Sequence, residues 1–454
     1  MMKATSRVLL VLLLPALGAP SLGQAPSAQK PLEQMPASAR KLIAITATGS
    51  KRFSEAAIAA STGLEMGSEV GEDDFKKAAR HLGDTGAFSD IAYSYSYSSA
   101  GTKLEFKVTD AEKFVPARFE DFVWFSDSEM RRRIQAHVPL FDGALPVSGR
   151  MPDEVSDVLQ AMLVENAIPG HVNYVRNGRQ DGPVESIDYS VADVRIRVRN
   201  IEFTGVSAAD LPALENAAHA FSGREYTRSR LDAFVRRQLL PVYYSRGYLK
   251  AACGEPQPKV VKLPAAEETP DFEGGPRNQT VVDVTFAVSQ GQQYKLKSLD
   301  WSGNHEFPTE TLEKMVRADP GQPANTVRLA DDLKSVQKLY GSRGFITASI
   351  RADAKFDEDT ATVVIALKVN EDSVYHMGDL EFRGIDNSLT AKLRSAWKLR
   401  QGDVYDATYL ESYLPEALKL LPARLDWEVA PHVTANGREK TVDVDLVYSV
   451  KAPE

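Results

Sequence analysis

Few side chains in this sequence are arranged to perform chemistry on a substrate. Cys253 is the single cysteine, and no histidine or aspartate stands beside it, so we interpret it as a small apolar residue at a strand end. No serine–histidine–aspartate order, phosphate loop or carboxylate pair is evident. The histidines lack the spacing of metal ligands: His81, His137, His171, His219, His305, His376 and His432. We therefore expect no catalytic residue, no metal, no cofactor and no enzymatic activity.

Several charged segments allow both a structural and a binding interpretation. The acidic runs at residues 357–359 and 371–372 are predicted to be solvated turns, with calcium binding as the alternative. Three arginines at residues 131–133 are predicted to lie on an exposed helix face, with contact to anionic lipid head groups as the alternative. Arg246 and Arg343 stand near predicted helix ends, where they complement the helix dipole; ligand binding is the alternative.

The backbone offers another kind of recognition. An exposed sheet edge presents N–H and C=O groups with which an extended peptide pairs whatever its side chains. In residues 91–97, Tyr93, Tyr95 and Tyr97 alternate with small residues and therefore face one side of a strand. Against helices they would be core, whereas on an open face they would form an aromatic strip for extended clients. Aromatic residues at period two favour the core interpretation.

This strand belongs to a unit that recurs along the chain. Four segments carry a glycine after an alternating apolar pair, and a second glycine follows eighteen residues later in each. The first glycines are Gly49, Gly205, Gly303 and Gly384, and the second are Gly67, Gly223, Gly321 and Gly402. A fifth copy fills the gap between the first two. Residues 122–124 are its predicted first strand, with Ser126 at the glycine position and Gly143 seventeen residues later.

Each copy has the same order of predicted elements. The first strand ends at the glycine, in a turn that needs positive φ. Two helices follow, and the second ends in a glycine–aromatic phrase, seen at Gly247 and Gly344. Two strands close the copy. The order strand, helix, helix, strand, strand predicts an α+β fold, a tandem array of about five small two-layer modules.

The repeat also sets the predicted domain boundaries. Lys3 and Arg7 precede an apolar run shorter than the roughly 20 residues of a spanning helix, so residues 1–23 are predicted to be a signal peptide, with an uncleaved anchor as the alternative. A disordered lead-in is predicted next, at residues 24–41. Five modules follow, at residues 42–111, 112–194, 195–290, 291–372 and 373–454. Residues 254–278 are predicted to be a mobile loop inside the third module.

Composition narrows the location and the partners. The 454 residues carry a formal charge of -8, which disfavours a nucleic-acid partner. No later segment approaches spanning length, so we expect a soluble exported protein. Its association with a membrane would be peripheral or through a partner. The oligomeric state is left open.

The module resembles the polypeptide-transport-associated (POTRA) domain. The resemblance rests on the order of elements, the glycine after the first strand and the glycine–aromatic phrase. It is best in the copies that begin near Ile201, Leu299 and Leu380. Tandem modules behind a signal peptide are similar to the periplasmic part of the outer-membrane β-barrel assembly factor and surface antigen family.

The sequence departs from that family in two places. After the last predicted strand, which ends at Val450, no series of amphipathic membrane strands follows, so we expect a chain without the barrel. In the fifth copy, Leu421, Pro422 and Ala423 stand where the glycine–aromatic phrase is expected.

The resemblance implies that client or partner strands are added to a sheet edge. The implied location is periplasmic or outer-membrane-associated. The implied partners are outer-membrane β-barrel proteins, or a separate barrel or assembly factor. We predict the edges to be the middle strands, at residues 91–97, 248–253 and 346–352, with the candidate binding residues Tyr93, Tyr95, Tyr97, Leu249, Ala251, Ile346, Ala348 and Ile350. The structural glycines are Gly49, Gly205, Gly303, Gly384, Gly247 and Gly344. The alternative function is a degenerate or truncated envelope scaffold that handles no client.

Overall fold

The computed structural model describes residues 35–179, 182–261 and 278–451. The predicted signal peptide, residues 24–34 of the predicted lead-in and residues 262–277 of the predicted loop lie outside these ranges. Five small sheets follow one another along the described chain, each combined with helices. The predicted fold class, a tandem array of small α+β modules, is confirmed.

Module 1 begins inside the predicted lead-in. Its elements are α1 (Ala37–Arg40), β1 (Leu42–Thr48), α2 (Glu55–Ala60), α3 (Glu72–Asp84), β2 (Phe88–Ser98) and β3 (Gly101–Asp110). Ala39 in α1 is buried, and its carbonyl oxygen accepts a hydrogen bond from the Thr102 hydroxyl at 2.7 Å. The prediction of disorder was therefore wrong for residues 35–41, because this short helix packs on the first sheet.

Module 2 has an additional strand. Its elements are β4 (Phe114–Phe119), α4 (Asp127–His137), β5 (Ala144–Pro146), α5 (Met151–Glu165), β6 (His171–Gly178) and β7 (Val184–Ala192). The strand predicted at residues 122–124 was wrong, since β4 ends before it. Phe122 and Val123 are buried in a turn, and the Ser126 hydroxyl caps α4 by accepting from the N–H of Glu129 at 3.2 Å. A buried turn followed by an N-cap serine produced the same sequence pattern as a short strand.

Module 3 has an irregular second helix. Its elements are β8 (Val194–Thr204), α6 (Leu211–His219), α7 (Arg228–Phe234), a π-helix (Val235–Leu239), α8 (Leu240–Tyr244), β9 (Ala252–Cys253), β10 (Gln257–Val261) and β11 (Asn278–Ser289). Pro241 has no N–H to donate to the preceding turn, and the wider π-turn lies directly before it. Part of the predicted mobile loop was wrong, because Gln257–Val261 pairs with β11.

Modules 4 and 5 are the most regular. Module 4 comprises β12 (Lys295–Ser302), α9 (Thr309–Glu313), α10 (Thr326–Gly341), β13 (Ser349–Asp357) and β14 (Thr362–Asn370). Module 5 comprises β15 (His376–Arg383), α11 (Asn387–Ala396), α12 (Tyr409–Lys419), β16 (Trp427–Asn436) and β17 (Thr441–Val450). Each has its own hydrophobic core between sheet and helices.

The last strand of modules 1, 4 and 5 lies in the centre of its sheet. The strand orders are β1-β3-β2, β12-β14-β13 and β15-β17-β16. The first strand runs parallel to this central strand. The second strand in chain order, called the middle strand because of its place in the sequence, runs antiparallel to the central strand. Alternate residues of the central strand are buried, as at Val363, Ile365 and Leu367. The strand that comes second in each of these modules is therefore an edge strand.

The repeat glycines lie where the first strand leaves the sheet. Gly49, Gly205, Gly303 and Gly384 all have positive φ. At Gly303, φ is 79° and a Cβ atom would lie 2.2 Å from the carbonyl oxygen of Val369 in β14. Only glycine permits both this backbone conformation and this close approach. The glycine spacing in the sequence therefore marks the end of each first strand.

The described chain divides into two compact units. The first extends to Glu202 and includes Ala218–Ala233 and Pro256–Phe286. The second comprises Phe203–Ala217, Phe234–Glu255 and the chain from Ala287 onward, and therefore contains modules 4 and 5 entirely.

Candidate functional site

Each three-stranded sheet has two edges, but only one is open along its length. The outer side of the first strand is partly covered by the segment that leads into the second helix. In module 4 this segment forms a bridge between Lys295 and Pro323, and the N–H of Leu296 donates to the carbonyl oxygen of Gln322 at 2.9 Å. Equivalent bridges occur in modules 1, 3 and 5. The middle strand is therefore the candidate site for an added peptide strand.

In module 1 the middle strand is β2, which contains the predicted edge at residues 91–97. Tyr93 is 2% exposed, and Tyr95 and Tyr97 pack against the core as partly buried residues. The ring centroid of Phe75 in α3 lies 6.4 Å from that of Tyr93 and 5.1 Å from that of Tyr95. The tyrosines thus occupy the helix side of the sheet and not its open face.

The predicted edge at residues 248–253 was wrong. Leu249 lies in a turn and packs against the core of module 4, and Ala251 is buried. Only Ala252 and Cys253 form a strand, β9. The N–H of Tyr248 donates to the carbonyl oxygen of Tyr243 at 3.2 Å, so the chain folds back at the helix end instead of extending.

The predicted edge at residues 346–352 begins three residues too early. Ile346 packs against the core of module 5, and Ala348 packs against that of module 4, both from a turn. The N–H of Ile346 donates to the carbonyl oxygen of Gly344 at 2.9 Å, and the N–H of Ala348 donates to that of Phe345 at 3.1 Å, so this segment is turned and not extended. Ile350 alone of the three lies on the edge strand, β13.

Strand β13 has a long and regular outer edge. It pairs with β14 from Ser349 to Asp357 without a bulge, and no strand in the described ranges pairs with its other side. Ile350 packs against the core of module 4, so residues at even numbers face the helices. Ala352 and Ala354 on this face are exposed. They leave an apolar shelf, defined by these two alanines, beside the backbone edge.

Equivalent positions in modules 1 and 5 carry larger or more rigid residues. Ala354 pairs with the central-strand residue Ile365, which in turn lies beside Leu299, four residues before the repeat glycine. By the same pairing, Tyr95 in module 1 and Val433 in module 5 are equivalent to Ala354. Two residues earlier, Tyr93 and Pro431 are equivalent to Ala352. Tyrosine side chains therefore occupy the equivalent positions in module 1. Of the three modules compared, module 4 has the smallest side chains at these two positions.

Pro431 also shows which way the backbone points. Register between β16 and β17 continues unbroken through the Pro431–Leu446 pair. A proline inside a sheet is tolerated on an edge strand when its nitrogen faces away from the neighbouring strand. The nitrogen of Pro431 therefore faces outward, and the equivalent N–H of Ala352 does the same. Ala352 thus offers a donor to an added strand.

The opposite face of β13 is charged and exposed. Asp353 forms ion pairs with Arg351 at 2.8 Å and with Lys368 at 3.1 Å. Its hydrogen bonds to Lys368 and Arg351 lower the pKa of the Asp353 carboxyl below its usual value. Exposed ion pairs contribute little to stability. These charges keep that face solvated and leave the backbone edge free to pair.

The acidic turn at residues 357–359 has a structural contact. Glu358 is ion-paired with Lys250 and accepts a hydrogen bond from the Tyr294 hydroxyl at 2.5 Å. The Lys250 hydrogen bond is the largest cause of the lowered pKa of Glu358. Within the described ranges, no cluster of three or more histidine, cysteine, aspartate or glutamate side chains is placed to hold a metal ion.

The glycine–aromatic phrases do more than end a helix. The carbonyl oxygen of Gly344 accepts from the N–H of Tyr375, the residue before β15, at 2.9 Å, and the Tyr375 carbonyl accepts from Tyr405 at 2.9 Å. Gly247 and Tyr294 repeat the first of these contacts at 2.8 Å. The phrase therefore docks the next module. Sequence reasoning missed this role, although a tyrosine just before the first strand of modules 4 and 5 was a usable signal.

Two other features bear on chemistry. Burial raises the pKa of the Cys253 thiol to about 11, so the reactive thiolate is scarce at neutral pH. Across the part of the chain that the structure describes, no helix is long and apolar enough to cross a membrane.

Comparison with known proteins supports the identification of the repeated module. Residues 294–372 match the model of the POTRA family, described as "Surface antigen variable number repeat". Outer membrane protein assembly factor BamA of Nitratidesulfovibrio vulgaris is 19% identical over 389 residues, covering 83% of this chain and 46% of that protein. The same factor from Buchnera aphidicola is 21% identical over 171 residues, covering 37% of this chain and 27% of that protein. The chain thus spans less than half the length of these relatives.

Two solved structures have weak similarity to part of this chain. Three POTRA modules (3–5) of Haemophilus influenzae BamA are 20% identical, covering 57% of this chain and 96% of that one, with a TM-score of 0.42. POTRA modules 1–3 of Omp85 from Anabaena are 16% identical, with the same two coverages and a TM-score of 0.24.

Proposed function

We propose that the chain, which is a tandem POTRA-domain protein, binds extended segments of outer-membrane proteins by adding them as a strand to the outer edge of β13. The relatives named above are outer membrane protein assembly factors, which supports a role in outer-membrane protein assembly. The proposal places the protein in the periplasm or at the outer membrane. Its partners are outer-membrane proteins before they fold, or another assembly factor, and its role is binding without catalysis.

The observation that carries this proposal is the combination of a regular edge and an unfilled shelf on β13. The edge supplies backbone donors and acceptors over a strand of nine residues. Each hydrogen bond of this kind has a net value of about 0.5–1.5 kcal/mol in water. Part of this gain is offset by the ordering of a flexible ligand, so binding is weak and tolerant of sequence. Such binding suits a protein that handles many clients.

The shelf adds a preference for alternating segments. Helix α10 contacts β13, and Ala352 and Ala354 lie exposed on the same side of the sheet. Every second side chain of an added strand would lie over these alanines, and apolar side chains would be removed from water there. The other side chains would lie beside Arg351 and Lys355 in solvent. A strand that alternates apolar and polar residues therefore fits this edge.

The proposal is tested with two peptides of identical sequence. Each is a fluorescein-labelled ten-residue strand with alternating apolar and polar residues, N-methylated at either the odd or the even positions. Because successive N–H groups of a strand point to opposite edges, one peptide keeps the donors that face β13 and the other loses them. Fluorescence anisotropy with the full chain should show that one peptide binds and that the other is at least about ten-fold weaker.

Equal affinity of the two peptides would contradict strand addition, since side-chain contacts alone would then account for binding. Absence of binding by either methylated peptide and by the unmethylated parent would favour the envelope-scaffold alternative. Enrichment of outer-membrane proteins by the immobilised chain from a periplasmic extract is the complementary measurement. The variant Ala352→Arg, which fills the shelf, should lose that enrichment, whereas Lys355→Ala on the other face should retain it.

A further inference from the structure

A cavity of about 500 Å³ lies within the second compact unit, where the end of α8 meets module 4. Its volume falls within the range of about 300–1,000 Å³ that is usual for small-molecule sites. Leu296, Leu299, Leu329 and Ile365 form an apolar floor on the sheet and on α10. No lining residue belongs to β13. This cavity is therefore separate from the proposed strand-binding edge.

The cavity exists because module 4 carries small side chains where its neighbour carries aromatic ones. Ala324 and Tyr405 occupy the same backbone position, since each lies three residues after the second repeat glycine and donates its N–H to the residue before the first strand, at 2.9 Å in both modules. Tyr405 is 3% exposed and fills the interior of module 5. Ala324 is also buried, it lines the cavity, and its side chain lacks the phenol ring of Tyr405.

A second exchange enlarges the same space and changes its charge. Arg328 occupies the position of Tyr409, again by distance from the repeat glycine. The Tyr409 ring packs against Trp397 with centroids 4.9 Å apart, and its hydroxyl accepts from the N–H of Lys398 at 2.8 Å. Arg328 is exposed and lines the cavity. In the described ranges its guanidinium forms no hydrogen bond or ion pair.

Cationic side chains outnumber anionic ones in the lining of the cavity. Arg246, Arg317 and Arg328 line the cavity against one carboxylate, that of Asp319. Arg317 is held by Asp332 at 2.6 Å, and Arg246 is held by buried Asp210 at 2.5 Å. Of the three guanidinium groups, that of Arg328 is without a hydrogen bond or ion pair in the described ranges and remains for a ligand, while Asp332 acts on it electrostatically.

We propose that this cavity binds an aromatic ring that carries an anionic group. The ring would occupy the space that Tyr405 and Tyr409 fill in module 5, and the anion would meet Arg328. The source of this chemistry is a free aromatic acid or an acidic–aromatic pair of residues in a peptide. The inference goes beyond strand addition, because it uses other residues and another ligand class.

The test uses purified full chain and two small probes, 3-phenylpropionate and its neutral analogue 3-phenylpropionamide. Titration followed by saturation-transfer NMR of the ring protons gives both dissociation constants. The acid should bind at least about ten-fold more tightly than the amide, since a hydrogen bond to a charged group is worth that much. A capped Asp-Phe dipeptide is the third probe. Tighter binding of the dipeptide identifies a peptide as the source, and tighter binding of the free acid identifies a small molecule.

Two variants locate the site. Ala324→Tyr copies module 5 and should abolish binding of every probe, whereas Arg328→Gln should weaken the acid to the level of the amide and leave the amide unchanged. Unaltered binding in Ala324→Tyr, equal binding of acid and amide, or no binding of any probe would overturn the proposal. Circular dichroism checks that Ala324→Tyr is folded. If it is not, Arg328→Gln and the acid–amide ratio decide the outcome.

Discussion

Modules 4 and 5 share one fold but use its interior and its edge differently. Module 5 fills the space between sheet and helices with Trp397, Tyr405, Tyr409 and Tyr413. The rings of Trp397, Tyr409 and Tyr413 contact one another. Its edge strand carries Pro431. Module 4 has Val316, Ala324, Arg328 and Asp332 at the four equivalent positions and Ala352 on the edge. The backbone frame tolerates both solutions because strands and repeat glycines, not these side chains, define it.

The polar partners are exchanged along with the rings. In module 4 the N–H of Arg317 donates to the Asp332 carboxylate at 2.8 Å, and in module 5 the equivalent N–H of Lys398 donates to the Tyr409 hydroxyl at 2.8 Å. Each module thus satisfies the same backbone group with a different side chain. Module 5 is built for packing, and module 4 keeps its edge and its cavity available.

The largest effect is expected when the cavity of module 4 is copied into module 5. Tyr405→Ala removes a buried ring and should lower the free energy of unfolding by about 3–5 kcal/mol, as large-to-alanine changes in cores do. Urea unfolding of the full chain, followed by tryptophan fluorescence, measures the change. The reverse exchange, Ala324→Tyr, should cost less than about 1.5 kcal/mol, because the sister module already shows that the space accepts the ring. Similar losses for both would refute the equivalence of the two positions.

The docking phrase provides the next comparison. Gly344 and Gly402 have φ of 85° and 86°, but a Cβ at Gly344 would lie 2.9 Å from the Tyr375 carbonyl oxygen, and one at Gly402 would meet nothing within 4 Å. Gly402→Ala should therefore cost about 1–2 kcal/mol for the left-handed backbone alone. Gly344→Ala should cost about 1 kcal/mol more, because the contact between modules is also disturbed. Equal losses in urea unfolding would show that the phrase only ends the helix.

The edge strands differ at one backbone donor. Ala352→Pro copies module 5 and should weaken binding of the fluorescein-labelled strand peptide about ten-fold, since it removes an outward N–H. The midpoint of unfolding should change little, because Pro431 is accommodated at the equivalent position. Asp353→Pro is the matched control. It removes an N–H that faces β14, so it should destabilise module 4 strongly. Retained peptide affinity in Ala352→Pro would exclude this edge.

The smallest effect concerns pH. Burial raises the pKa of Asp332, but its hydrogen bonds and ion pair with Arg317 outweigh burial and lower that pKa below its usual value. A lowered folded-state pKa stabilises the protein above the usual carboxyl pKa, and this stabilisation is lost as pH falls between about 5 and 2. Asp332→Asn should flatten that part of the stability profile. The change is small because Arg317 is 69% exposed and solvent screens the pair. Tyr413, at the equivalent position, should give no acid dependence.

Much of the fold followed from local patterns. Period-two alternation marked the central strands, and the glycine spacing marked the ends of the first strands, because both patterns depend only on neighbours along the chain. Predictions failed where tertiary contacts replaced local preference. Leu249 and Ile346 alternate like strand residues, but each lies in a turn and packs against the core of the following module. The strand prediction at residues 122–124 failed because Phe122 and Val123 are buried in a turn.

By itself, the sequence determined that the chain is an array of α+β modules with edge strands in the middle of each copy. Only the tertiary structure decided which edge is unfilled and where a cavity remains. These properties depend on the volumes of residues that are distant in sequence and meet across a module, such as Ala324 with Leu296, or Tyr93 with Phe75. Periodicity reports which face a side chain takes, but the space that it leaves is set by what the opposite element brings to it.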